Sequence, residues 1–164
     1  ASYARGDVPC RIDHGSVKSR LTWTVPLQDL SYDPLLVNCA EGLLELEHPY
    51  VFIAREGFRE MVRVKGAREK VIPLVERLVA HFRIGLRNKS ADIFNATADA
   101  IRDTAILVGK DAILPHIGNL IQPLASKISQ PETGSAATET LRTLADIGGA
   151  EAIAMIKSKV PTFC

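Results

Sequence analysis

Three copies of a short glycine-led segment punctuate the chain. They read Gly66-Ala67-Arg68-Glu69-Lys70-Val71-Ile72-Pro73, Gly109-Lys110-Asp111-Ala112-Ile113-Leu114-Pro115 and Gly149-Ala150-Glu151-Ala152-Ile153-Ala154-Met155. The glycines stand 43 and 40 residues apart. Each copy follows one amphipathic helical pattern and opens the next. A helix pair of this length cannot bury its apolar face alone, so successive pairs must stack. Such a stack presents a surface to a partner instead of enclosing a reaction.

The helical patterns can be followed one by one. Asp33-Pro34 reads as an N-cap with proline at the first helical position. Leu35, Leu36, Cys39, Ala40, Leu43 and Leu46 form the stripe behind it, ended by Glu47-His48-Pro49. The next helix spans about 50–64, with Ile53, Ala54, Phe58, Met61 and Val62 inward and Gly66 as a left-handed cap. Ile72, Val75, Leu78, Val79, Phe82 and Leu86 mark a third, and Asn88 to Ser90 a turn. Phe94, Ala98, Ile101, Ala105 and Val108 mark a fourth; Ile113, Ile117, Leu120, Ile121, Leu124 and Ile128 a fifth, which Pro123 should kink or shorten. After a loop at Gln130 to Ser135, Leu141 and Leu144 precede Gly148-Gly149, and Ile153, Ile156 and Val160 follow. Gly85 and Gly118 fall inside helical patterns and read as sites of close packing. The expectation is an all-α, HEAT/armadillo-like α–α superhelix of about seven helices over residues 34–164.

Residues 1–33 lack a helical period. Leu21, Trp23 and Val25 alternate with Thr22 and Thr24, which predicts an extended arm docked on the body by one face. The first residue is Ala, not Met, which leaves an upstream extension open.

The chemistry-bearing residues form no catalytic set. There is no Gly-x-Ser-x-Gly, no phosphate-binding loop and no His-Glu-x-x-His. Cys10 and His14 have ligand-like spacing but no second pair at zinc-finger distance, so no metal or cofactor is expected. His48, His81 and His116 stand apart from one another, and the carboxylates Glu41, Glu45 and Glu47 fall at surface spacing. A net charge of +1 and few aromatics argue against nucleic acid, and no apolar run is long enough for a membrane span. The odd set Cys10, Cys39 and Cys164 points to a reducing, intracellular setting.

Two features remain as candidate partner sites. Arg55, Arg59 and Arg63 recur at i, i+4 and i+8, so they share one helix face and could meet an acidic surface. Glu56 and Glu60 flank that ridge and blunt it. Trp23 in the arm is a candidate anchor, either for the chain's own body or for a partner.

The order of motifs carries a resemblance. Arg5-Gly6-Asp7-Val8-Pro9-Cys10-Arg11-Ile12-Asp13-His14-Gly15-Ser16 precedes Leu21-Thr22-Trp23, then Leu30-Ser31-Tyr32-Asp33-Pro34-Leu35-Leu36 and Ala40-Glu41-Gly42-Leu43. His48-Pro49-Tyr50-Val51-Phe52, Glu56-Gly57-Phe58-Arg59-Glu60, Ile72-Pro73-Leu74 and Ile156-Lys157-Ser158-Lys159-Val160-Pro161-Thr162 complete the series. Together they resemble the parkin co-regulated gene protein family, in particular its parkin co-regulated-like branch. The resemblance implies a non-enzymatic structural protein of cilia and flagella that binds α/β-tubulin. It further implies a microtubule inner protein that helps form the inner junction of axonemal doublets beside neighbouring inner-junction proteins. The alternative it implies is a soluble adaptor subunit for ciliary or sperm-flagellar cargo, holding a small adaptor protein. The family's adaptor surface maps onto Arg20 and Trp23, with Val64 standing where that surface carries a histidine.

Overall fold

The computed structural model describes residues 8–13, 20–47 and 50–164, with Arg20 described by its backbone. Helices dominate it, as the periodicity requires. Strands β1 (Cys10–Asp13) and β2 (Arg20–Trp23) pair antiparallel, with Cys10 opposite Trp23 and Ile12 opposite Leu21. Their alternation buries Cys10 and Leu21 and leaves Arg11 and Thr22 in solvent. Among the described residues, the two strands bury one face and leave the other in solvent. Val25 lies beyond the strand and is exposed, unlike Leu21.

A 3-10 turn at Leu27–Asp29 leads into α1 (Tyr32–Gly42), α2 (Tyr50–Arg63), α3 (Ala67–Val71) and α4 (Val75–Leu86). Then come α5 (Ala91–Val108), α6 (Lys110–Ala125) and α7 (Gly134–Lys159). α1 contacts α4 and α4 contacts α6, while α2 contacts α5 and α5 contacts α7. Across these two layers, α1 meets α2, α4 meets α5 and α6 meets α7. One apolar core runs from Val8 and Cys10 in the hairpin to Ile156 in α7.

The three repeat glycines have a common backbone role. Gly66, Gly109 and Gly149 have φ of 87°, 80° and 69°, the positive-φ residues among those described. A Cβ is disfavoured there, which is why glycine recurs. Gly149 breaks α7 into two helical stretches, at the point where the third copy begins. Basic side chains link successive turns: Arg68 donates to the Val108 carbonyl at 3.4 Å, beside Gly109. Lys70 Nζ donates to the Gln28 and Leu30 carbonyls at 2.6 and 2.9 Å and lies 5.0 Å from the Tyr32 ring centre.

Several local expectations are corrected. Asp33 has the extended dihedrals of a cap (φ −105°, ψ 114°), yet its carboxylate pairs with Arg77 at 2.6 Å. α1 ends at Gly42, so Leu46 is 62% exposed instead of buried. His48-Pro49 lies outside the described residues. Helix resumes directly after Gly66 as α3, and a 3-10 turn over Ile72–Leu74 separates it from α4. Proline there supplies no N–H, and Ile72 turns outward. α6 passes through Pro115 and ends two residues after Pro123, so the fifth pattern is shortened. α7 begins at Gly134, inside the expected loop. Gly85 is a close-packing site, but Gly118 is not: it is exposed, and a Cβ there would lie 3.9 Å from Met155 Sδ.

Candidate functional site

Trp23 is turned onto the body. Its indole Nε1 donates to Glu60 Oε2 on α2 at 3.2 Å. A Cβ placed on Gly57 would lie 3.5 Å from Cys39 Sγ, 3.7 Å from Trp23 Cη2 and 3.9 Å from Leu21 Cδ1. The hairpin therefore sits directly against the backbone of α2. Burial pushes the Glu60 carboxyl above its ordinary range; the Trp23 bond opposes the shift, and Glu56 adds to it. Burial, with a contribution from Glu60, pushes the Cys10 thiol up to about 11. Burial and Cys10 push Cys39 up to about 12. Both are packed, poorly nucleophilic thiols. Arg20 pairs with Asp13 in the hairpin register, and its side chain lies outside the described residues.

The arginine ridge is on the surface of α2, but its charge is balanced. Arg55 holds Asp92 of α5 through two bonds of 3.3 and 2.8 Å. Arg63 pairs with Asp103 of α5 at 3.4 Å. Arg59 pairs with Glu56 of its own helix at 2.5 Å, and Asp99 of α5 pairs with Arg102 of its own helix. The sequence expectation of a basic ridge thus becomes a seam, with a basic wall on α2 and an acidic wall on α5.

Between these walls runs a cleft of about 180 Å³. Leu43, Phe58, Ala96 and Ala100 supply its apolar lining, and Arg55, Arg59, Asp92, Asn95, Asp99 and Asp103 its polar lining. A second cleft of about 290 Å³ shares Arg59, Asp99 and Asp103 with the first and extends it to Arg63 and Arg102. Arg102 then ties α5 to α7 by donating to Thr140 Oγ1 at 2.8 Å. Among the described residues, no group of three or more His, Cys, Asp or Glu is placed to hold a metal ion. His14, the partner of the Cys10 spacing, lies outside them. No helix among the described residues is long and apolar enough to cross a membrane.

The whole chain, residues 1–164, matches the Parkin co-regulated protein family. The chain belongs to this family. A curated relative, the Parkin coregulated gene protein homolog of Mus musculus, is 27% identical over 179 residues, covering 98% of this chain and 73% of the relative. Within this parkin co-regulated family member, sequence reasoning missed the α5 half of the seam. Its signal was available: Asp92 and Asp103 stand 37 and 40 residues after Arg55 and Arg63, close to the glycine period. Trp23 and Glu60 are also 37 apart.

Proposed function

We propose that this protein is a non-enzymatic structural scaffold that binds microtubules in cilia and flagella. Its place would be inside the axonemal doublet, at the inner junction. Membership of the parkin co-regulated family over the full chain is the observation that carries this reading. The two-layer stack supports it physically. Contacts between helices one repeat apart suit a HEAT/armadillo-like superhelix, whose stiffness lets one molecule touch neighbouring protofilaments and a second junction protein together. In a repeating lattice, several modest contacts made at once give lasting occupancy.

The tubulin-facing residues form part of the proposal. Arg63 keeps 63% of its side chain exposed and Arg59 keeps 41%, against 25% for Arg55. An acidic lattice would have to compete with Asp92 and Asp103 for Arg55 and Arg63. Arg59, paired within its own helix, is the member whose reversal leaves the α2–α5 ion pairs in place. Arg59→Glu should weaken microtubule co-sedimentation at unchanged helicity if the ridge makes the contact. The wider reading is tested in demembranated axonemes. Retention through a high-salt wash is expected, and complete release with detergent would sink it.

A further inference from the structure

We propose that the α2–α5 trough is a docking site for an extended segment of a partner polypeptide in which acidic and basic side chains alternate. The walls set this chemistry. Arg55, Arg59 and Arg63 line one side and Asp92, Asp99 and Asp103 the other, where Arg102, held by Asp99 and Thr140, borders the Arg63 end. An extended chain laid between them sends successive side chains to opposite walls, because its period is two. Wound into a helix of 3.6 residues per turn, the same alternating sequence would scatter both signs over both sides. From Asp92 to Asp103 the trough is about 16 Å long, room for roughly five extended residues.

The floor agrees with a backbone lying on its edge. Ala96 and Ala100, one helical turn apart, let a main chain approach closely. Arg55 Nε and Asn95 Oδ1 are covered and lack hydrogen-bond partners. Asn95 Nδ2 already donates to the Glu132 carbonyl at 3.0 Å, and both Arg55 Nη groups serve Asp92. What is left is one donor and one acceptor at the same end of the trough. A peptide backbone supplies the matching carbonyl and N–H. The free protein carries the cost of those two unmade bonds, so lifting the Arg55–Asp92 rim there is partly offset. A single-sign ligand such as a phosphodiester backbone fits poorly, since one wall repels it.

This proposal stands apart from microtubule binding, and its test uses peptides alone. Two fluorescent peptides of identical composition are compared by anisotropy: three Glu-Lys repeats, and three Glu followed by three Lys. The alternating peptide should bind at least about fivefold more tightly, since each exposed pair contributes little singly. Arg59→Glu and Asp99→Lys, which leave the Arg55–Asp92 and Arg63–Asp103 pairs in place, should each abolish that preference with helicity retained. Equal affinities, no saturable binding up to about millimolar, or a preference surviving both variants would overturn the proposal. So would tighter binding of an all-Glu peptide, which would assign the face to an acidic surface.

Discussion

Replacing Gly85 with Ala should destabilise the protein, although alanine is the better helix former. Gly85 lies inside α4 against α5. An added Cβ would stand 3.0 Å from Thr97 Cβ, 2.9 Å from its Cγ2 and nearer still to its Oγ1. Thr97 is 1% exposed, and its hydroxyl donates to the Ile93 carbonyl at 2.8 Å. Packing and that bond hold the rotamer, so the threonine has nowhere to turn. Overpacking of this kind costs about 1–3 kcal/mol. Gly→Ala in a helix interior returns about 1 kcal/mol. With three threonine atoms in the way, the packing cost should lie high in its range, leaving a net loss of about 1–2 kcal/mol. For a chain of 164 residues that lowers Tm by roughly 3–6 °C.

The assay is a double-mutant cycle read by thermal and urea unfolding. Thr97→Ala removes Oγ1 and Cγ2, so Gly85→Ala in that background should be neutral or stabilising. The coupling should reach about 1–2 kcal/mol. A stabilising single Gly85→Ala, or additivity within about 0.5 kcal/mol, would refute the claim that this glycine exists to admit Thr97.

Four further outcomes are expected. Gly66→Ala meets nothing within 4 Å, so its cost of about 1–2 kcal/mol comes from the left-handed backbone alone, and Gly66→Asn should cost less in the same urea titration. Trp23→Phe keeps the ring but loses the bond to Glu60, lowering stability by about 1 kcal/mol, with Trp23→Ala losing more. Glu60 has a folded pKa above its unfolded one, so its contribution to stability is full at acid pH and is lost as pH rises through the folded value. Glu60→Gln mimics the protonated form and still accepts from Trp23; its advantage over wild type in urea midpoint should shrink on acidification, and a widening gap would reverse the assigned sign. At pH 8 a thiol reagent should label exposed Cys164 quickly, while Cys10 and Cys39, held near 11 and 12, react after denaturation; fast labelling of all three would show the hairpin open.

The repeating skeleton was legible because its signals are local. Gly66, Gly109 and Gly149 announce turns through their own backbone preference, and apolar spacing marks most of the helix faces. The errors fall where tertiary contact overrode local chemistry. Asp33 has the cap's dihedrals, but Arg77 claims its carboxylate. Leu46 continues an apolar stripe beyond the end of α1 and stays in solvent. Gly85 and Gly118 look alike in sequence, and a neighbour 12 residues from Gly85 distinguishes them. The candidate site was half legible: helical spacing puts three arginines on one face of α2, but their partners depend on which helix stacks beside it. That adjacency is encoded in the period, as the 37-residue separation of Arg55 and Asp92 shows.

The same offset gives the arm a structural meaning. Trp23 reaches Glu60, Arg55 reaches Asp92 and Asn95 reaches the Glu132 carbonyl, each across 37 residues. The hairpin thus meets α2 at the sequence distance by which α2 meets α5 and α5 meets the turn before α7. It packs Cys10, Leu21 and Trp23 against the apolar side of α1 and α2. This weighs on the choice between scaffold and adaptor. A partner that takes the Trp23 indole for itself must first lift it from Glu60 and Gly57, and so uncover the end of the core. A lattice that binds the outer faces of the helices leaves Trp23 in place and competes only for surface ion pairs such as Arg63–Asp103. An adaptor that used Trp23 would therefore bind with a cost to stability, and Trp23→Ala would separate that role from packing.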